Sequence, residues 1–512
     1  MKLFSNKQIF FTTILAGPLP AAYLLSKNYL NIRQRRASLL AKILGFFFAF
    51  LTYILTIFSV EKFVIQTGIF QGNNIKGYGI IVLFFLVVQA VMAGVFAFIS
   101  KKNNGKTAFE LSKDKNRIYS FIHVIPFVLL GIAITIYLLI IGSFRFILLV
   151  IYLLPNIYLH NHIKKIFVSK QKGLIFTTIF IVLVGFFPLL MIANNFPYGK
   201  IIKYVQLIAY YYLPILLYGF LFYVFFDIIL LINRKIKFIP KKILIGKRFR
   251  MIIFSIILLI TTAIVTKGIF NYNNTQVSEY SIGISKKMGN LEHLKITMAA
   301  DIHFSEITNE YFVKQFIDKI NSMNPDIVLL AGDNGVSSVS IPEMKFFEEQ
   351  LRKIKSKYGV YAVEGNHELS GKGTVFNFFK NANIKLLRDT VIKLENSFFL
   401  VGRKDRNDKN RKSIEELLKH ASDSLPRILL DHQPYNLEMA YNNNIDVQLS
   451  GHTHHGQLFP INYITEGIYE LSWGYRKIQN THFFVTCGAQ GWGPQVKTAS
   501  HSEIMEINID FE

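Results

Sequence analysis

Cysteine is almost missing from this sequence. Cys487 is the only one in 512 residues, so no intrachain disulfide can staple the fold and no thiolate cluster can hold a structural zinc. It stands in the strand-like run "FFVTCGA", where a thiol reads as a small buried apolar group. Acid is almost missing from the first half. Residues 1–270 hold 31 Lys/Arg and four acids (Glu61, Glu110, Asp114, Asp227), a net of +27, whereas 271–512 hold 26 Lys/Arg and 29 Asp/Glu, a net of −3. The basic excess lies in short loops between apolar runs, which is the charge pattern of a membrane protein rather than of a nucleic-acid binder. No nucleic-acid partner is expected, and a near-neutral second half has no phosphate-tracking surface. Fixed-period repeats and long low-complexity tracts are lacking as well.

The first half is rich in long apolar runs, and each can span a bilayer at about 20 residues. Candidate spans lie at 9–25, 40–59, 77–99, 119–141, 143–159, 174–193, 206–232 and 252–269. The loop "NRKIKFIPKKILIGKRFRM", 233–251, holds eight basic residues and no acid, whereas 60–76 and 194–205 hold two basic residues each. Richly basic loops face the cytoplasm, so the last span leads residue 271 onward out of it. The expected organisation is transmembrane helices over 1–117 (about three spans) and 118–270 (about five spans), a linker and first-strand entry over 271–294, and a soluble domain over 295–512. Asp227, inside an apolar run, reads as an interfacial carboxylate paired with Arg234 or Lys235, with a transport role as the alternative.

In the second half one pattern recurs: a short apolar strand runs into a loop carrying Asp, Asn or His. "KITMAADIH" delivers Asp301 and His303, "DIVLLAGDN" Asp333, "GVYAVEGNHE" Asn366 and His367, "RILLDHQP" Asp431 and His432, and "DVQLSGHTHHG" His452, His454 and His455. Amphipathic segments such as "NEYFVKQFIDKINSM" alternate with the early strands, as in an α/β domain. Sites in such sheets gather at the carboxyl ends of strands. Imidazole and carboxylate together suit Zn, Fe, Mn or Co, and seven good ligands suffice for two metals, which can clamp a phosphoryl group and activate water. In an extended segment residues i and i+2 point to one side, which lets His452 and His454 reach neighbouring metals and turns His455 away.

These motifs resemble the calcineurin-like metallophosphoesterase family: "DIH" 301–303, "GD" 332–333, "GNHE" 365–368, His432 and "GHTH" 451–454, in order. With the upstream spans, the chain is similar to the membrane-associated bacterial branch, which includes phosphodiesterases and UDP-2,3-diacylglucosamine hydrolases. The resemblance implies a sandwich of two mixed β-sheets flanked by helices and a cofactor of two divalent metal ions (Mn, Zn or Fe). Asp301, His303 and His454 would hold the first; Asn366, His432 and His452 the second. Asp333 would bridge them, a carboxylate having two oxygens for two cations. His367 would stand at the scissile bond, protonating the leaving oxygen or steadying its charge.

Three positions depart from the family pattern. Val336 replaces an acid, His455 replaces a glycine and either lines the cleft or caps a turn, and Lys497 stands where an arginine is usual and would meet phosphate as a point charge. Asp431 is either an acceptor that orients His432 or a solvated loop acid. Arg403 and Lys404 either face substrate phosphate or belong to a solvated basic loop. Trp473 and Trp492 either wall the cleft or pack. The expected function is a membrane-anchored phosphohydrolase acting outside the cytoplasm on a membrane-linked or envelope phosphodiester, with the lipid bilayer as partner. The alternatives are a UDP-lipid pyrophosphate hydrolase, which conflicts with the topology, and a sensor or transporter whose phosphoesterase-like domain only binds ligand.

Overall fold

The computed structural model describes residues 151–164, a few positions between 166 and 184, and 200–511 apart from 287–290, 306, 336–340 and 369–371. The chain divides into two compact units, Met1–Tyr152 and Leu153–Glu512. The spans expected before residue 151, the boundary at 117, and Val336 lie outside the described residues.

Helix α1 (Lys200–Ile236) and helix α2 (Lys247–Asn273) contain the expected spans 206–232 and 252–269, and each is long and apolar enough to cross a membrane. Asp227 of α1 is not paired with Arg234 or Lys235. Tyr158 Oη donates to its Oδ2 at 2.6 Å, and His162 Nε2 lies 3.2 Å from the same oxygen. A carboxylate in an apolar run thus takes polar partners from the neighbouring helical stretch 151–164 rather than from its own helix end.

Beyond α2 the chain folds into two six-stranded sheets. The first has the order β1 (Gln276–Ile284), β12 (Glu503–Phe511), β2 (His293–Ala299), β3 (Ile327–Leu330), β4 (Val360–Val363), β5 (Lys385–Leu387). The second runs β10 (Gly474–Ile478), β11 (Thr481–Val485), β9 (Val447–Ser450), β8 (Arg427–Leu430), β7 (Phe398–Gly402), β6 (Thr390–Leu394). Both are mixed, with β2 to β5 parallel in one and β7, β8, β9 and β11 parallel in the other. The stretch 271–294 is therefore more than a linker. Its "QVSEYSIGI" supplies β1, paired in parallel with β12, and Tyr280, Ile282 and Ile284 point inward on alternate positions.

The central strands read as unbroken apolar runs because both of their faces are covered. "IVLL", "VYAV" and "RILL" are buried at every position. Ile296, Met298, Leu329, Leu400, Leu430, Leu449, Phe484 and Ile507 interlock between the sheets. Outside the first sheet lie helices α3 (Glu310–Ser322), α4 (Ile341–Leu351) and α5 (Lys372–Asn381). Helix α3 starts where the Asn309 side chain accepts from the Tyr311 N–H at 2.9 Å. Its Phe312, Val313, Phe316, Ile317 and Ile320 recur at helical spacing and are buried against the sheet. Truncating one such isoleucine or phenylalanine to alanine costs about 2–5 kcal/mol. The result is two sheets with helices outside them, and the parallel strands bring the ends of β2, β3, β4, β8 and β9 to one edge.

Candidate metal centre

At that edge the structure collects all eight residues singled out above. Among the described residues four groups converge within ligand reach: Asp301, His303 and His454; Asp333, His432 and His452; His303, Asp333 and His367, which shares members with both; and Cys487, His501 and Glu503. In the first, His303 Nε2 and His454 Nε2 lie 3.1 Å apart, and each lies 3.7 and 3.5 Å respectively from Asp301 Oδ1. In the second, His432 Nε2 is 3.2 Å from Asp333 Oδ2. Donor atoms bound at ~2.0–2.2 Å to one ion lie roughly 3–3.6 Å from each other, so the spacing fits a metal in each of these two groups. Among the described residues, Asp301 Oδ1 and Asn366 Oδ1 are buried without a hydrogen-bond partner. Orphaned polar atoms are costly in a protein interior unless a ligand satisfies them, and Asp301 belongs to the first group.

Each carboxylate divides its oxygens. Asp301 Oδ2 accepts the His452 N–H at 2.8 Å and leaves Oδ1 for the first group. Asp333 Oδ1 accepts the His367 N–H at 2.9 Å. Its Oδ2 faces both groups, 3.2 Å from His432 Nε2 and 3.9 Å from His303 Nε2. Asp333 is the carboxylate placed to serve both groups.

The segment carrying His452 and His454 is not extended. Both residues have left-handed backbone angles (φ 73° and 48°), as do Asp301 (54°), His303 (48°) and Asp333 (51°). Such angles are disfavoured for side-chain-bearing residues and cluster at functional sites. They re-aim side chains immediately after each strand ends. Two motif glycines permit the sheets to approach. A Cβ on Gly332 would overlap the His432 ring, and one on Gly451 the Asp301 carboxylate.

The electrostatics follow from burial and pairing. Burial opposes ionisation of Asp301 and Asp333, but the facing histidines outweigh it and hold both carboxyls below the usual range. Burial pushes His452 down to about 4 and His454 down to about 3, so both rings are neutral and ready to donate lone pairs. His432 goes the other way: burial opposes its charge, yet Asp333 and Asp301 raise it to about 10. Two carboxylates, four imidazoles and one amide oxygen form a donor set suited to divalent metals.

The residues left open by sequence reading now divide. Asp431 does not orient His432. It pairs with Arg403 (3.0 Å) and Arg411, while His432 Nδ1 donates to the Ala331 carbonyl at 2.8 Å. Arg403 is thereby held against Asp431, and Lys404 lies 3.8 Å from Asp389 and 3.7 Å from Asp408. Lys497 turns its ammonium to backbone carbonyls. Fully buried, its Nζ donates to the carbonyls of Cys487 (2.8 Å), Gly488 (2.7 Å) and His501 (3.0 Å). His455 packs its ring against Trp473, with Nδ1 3.2 Å from Ser472 Oγ. Trp473 Nε1 donates to Glu503, whereas Trp492 is exposed with its ring 6.3 Å from that of His367.

Sequence reading gave Glu368 no role. Buried, it accepts from the N–H groups of Asp333 (3.0 Å), Gly335 (2.8 Å) and Gly365 (2.7 Å), locking the "GD" loop to the "GNHE" loop. Burial and the Asp333 charge push its carboxyl up to about 7, while those donors favour the ionised form. The acid closing "GNHE" was its only sequence signal.

Fold and site together define a metal-dependent phosphoesterase: the strand ends of an α/β sandwich present carboxylates and imidazoles as ligands for divalent metals. Residues 294–456 match the calcineurin-like phosphoesterase family, and the chain carries a metallophosphoesterase domain of that kind. An uncharacterized metallophosphoesterase of Campylobacter jejuni is 28% identical over 385 residues, covering 72% of this chain and 98% of that protein. One from Helicobacter pylori is 30% identical over 225 residues, 43% of this chain and 60% of that protein. A transmembrane protein with metallophosphoesterase domain from Danio rerio is 28% identical over 268 residues, 49% of this chain and 61% of that protein.

Proposed function

We propose that this chain is a membrane-anchored phosphodiesterase that binds two divalent metals and acts outside the cytoplasm on a membrane-linked or envelope phosphodiester. The observation that carries the reading is Asp333 Oδ2, which faces His432 at 3.2 Å and His303 at 3.9 Å and so stands between two ligand groups. Asp301, His303 and His454 would hold one ion, Asn366, His432 and His452 the other, with Mn, Zn and Fe the fitting metals. Bound there, the metals would supply Lewis acidity toward phosphate and an activated water.

The chain's own groups would do the rest. His367 stands at the mouth, Nε2 4.0 Å from Asp333 Oδ2 and its side chain 36% exposed. Burial lowers its pKa, so near neutrality the ring offers an N–H to a leaving oxygen, which favours steadying charge over full proton transfer. Trp492 shields one flank of that position. Membrane anchoring is supported by α1 and α2 and by the transmembrane relative. The multipass arrangement and the outward orientation rest on the basic loop 233–251, which lies at the ends of both helices.

The test is hydrolysis of bis-p-nitrophenyl phosphate by the full chain with Mn. Asp333→Asn should abolish turnover and lower bound metal toward one per chain. Turnover equal to the parent's would sink the two-metal reading. A reporter fused at the C-terminus and active only in the cytoplasm would overturn the orientation.

A further inference from the structure

We infer that the segment following the last metal-site motif is a membrane-surface anchor, which seats the catalytic domain on the bilayer beside its own spans and opens the cleft to amphiphilic substrates. The inference rests on the reading of α1 and α2 as spans and names the surface that the catalytic domain itself engages.

The segment runs "LFPINYITEGI", 458–468, and contains helix α6 (Asn462–Ile468). Its apolar side chains are turned outward: Phe459 is 46% exposed, Ile461 36%, Tyr463 63%, Ile464 61% and Ile468 57%. A soluble domain rarely leaves so many large apolar groups together in water. The segment holds one acid, Glu466, and no base, so its attraction to a bilayer would be apolar rather than electrostatic.

Its position says what covers it. Leu458 is buried with Tyr218 of α1, Val265 of α2 and Val496. Tyr218 Oη donates to the Phe459 carbonyl at 2.8 Å, and the Lys497 N–H to the Gly268 carbonyl of α2 at 2.9 Å. The patch therefore begins where it touches both helices. At 1.5 Å per residue, Tyr218 stands about 24 Å along α1 from Arg234, and Gly268 about 27 Å along α2 from Arg250. A hydrocarbon core is about 30 Å thick. Two helices measured independently from their basic ends place their contacts with the catalytic domain at the same height, the far boundary of the bilayer. Tyr210, Tyr211 and Tyr212 follow on α1 in the place of an interfacial aromatic belt.

The cleft lies next to that boundary. Trp492, beside His367, precedes Gly493, where a side chain would meet the Tyr210 ring at 3.8 Å, and Tyr211 Oη donates to Gln495 at 3.4 Å. The anchor is joined to the metal centre as well. His455 Nε2 lies 3.5 Å from Glu466 of α6, one residue after His454.

The experiment uses the full chain in nanodiscs of zwitterionic lipid, with a nitroxide on Ile464→Cys and, as control, on the exposed Lys419→Cys; Cys487 is buried and stays in place. The label at 464 should collide more often with oxygen than with a water-soluble nickel chelate, and the label at 419 the reverse. Preference for nickel at 464 would overturn the anchor. Protection from both reagents would mean that protein covers the patch, whether residues 1–152 or a second copy, and would overturn it equally.

A second measurement reads the consequence. Combining Tyr463→Ser, Ile464→Ser and Ile468→Ser should leave turnover of soluble bis-p-nitrophenyl phosphate within about twofold, and lower turnover of bilayer-embedded hexadecyl p-nitrophenyl phosphate about tenfold. No difference between the two substrates would remove the link from anchor to substrate. A parent inactive on both would defeat the phosphoesterase reading, while the collision measurement would still decide the anchor.

Discussion

The backbone N–H of His452 donates to Asp301 Oδ2 at 2.8 Å, joining the end of β9 in one sheet to the end of β2 in the other. One carboxylate thus serves as strap and candidate ligand at once, and substitution can separate the two duties. Asp301→Asn keeps an oxygen for the strap but loses the charge. It should keep the metal-free melting temperature within a few degrees, and lower kcat/KM for a soluble diester by about a hundredfold or more, since even groups behind a ligand are worth 10–100-fold. Asp301→Ala should lose both. Calorimetry with metal analysis checks the pair.

Glu368→Gln should destabilise the protein by about 1–3 kcal/mol, because an amide can accept only through its single oxygen where a carboxylate serves three buried N–H donors. Looser "GD" and "GNHE" loops should weaken metal retention with it. Chemical denaturation and dialysis against a chelator measure the two effects. An unchanged midpoint would show that the three donors find other partners.

Lys497→Met leaves three buried carbonyls without a donor, and should cost about 2 kcal/mol or more. Since Lys497 touches backbone and not the cleft, KM for a diester should stay within about threefold of the parent's at temperatures where the variant is folded. A large rise in KM with normal stability would return Lys497 to the role of a phosphate contact.

Metal uptake should release about one proton per chain near pH 7.5, because the metal-free site holds His432 charged, up to about 10, and a ligating imidazole must be neutral. The sign also sets a stability trend for the metal-free protein. A histidine whose folded pKa is raised from 6.5 contributes stability that is complete below 6.5 and is lost as pH rises toward 10. Titration calorimetry in buffers of different ionisation enthalpy counts the proton, and melts of chelator-treated protein between pH 6 and about 10 follow the trend.

The candidate ligand residues were legible because each follows an apolar run, and parallel strands buried on both faces must end at one edge. The groups that position them were not, because a backbone carbonyl has no letter. Nothing in "LLAGD" announces that the Ala331 carbonyl would accept a hydrogen bond from His432 Nδ1. Asp431, adjacent to His432, reads equally as its acceptor or as a solvated acid, and is instead neutralised by Arg403 and Arg411, two residues whose sequence distance conceals their approach. Lys497 read as surface chemistry because lysine is seldom fully buried, and only a pocket of three carbonyls reverses that expectation. In β1, half-exposed and broken by serines, the alternation was too weak to outweigh the polar residues around it.

The left-handed angles at Asp301, His303, Asp333, His452 and His454 set activity against foldability. A non-glycine residue in a disfavoured backbone region costs on the order of 1–3 kcal/mol. Glycine at any of these five positions would relax the chain and delete a candidate ligand in the same step. Relatives that drift out of use should therefore lose their metal by becoming easier to fold, and an inert descendant of this domain would melt higher without metal than its active parent. Catalytic competence here is something selection must keep holding against the preference of the backbone.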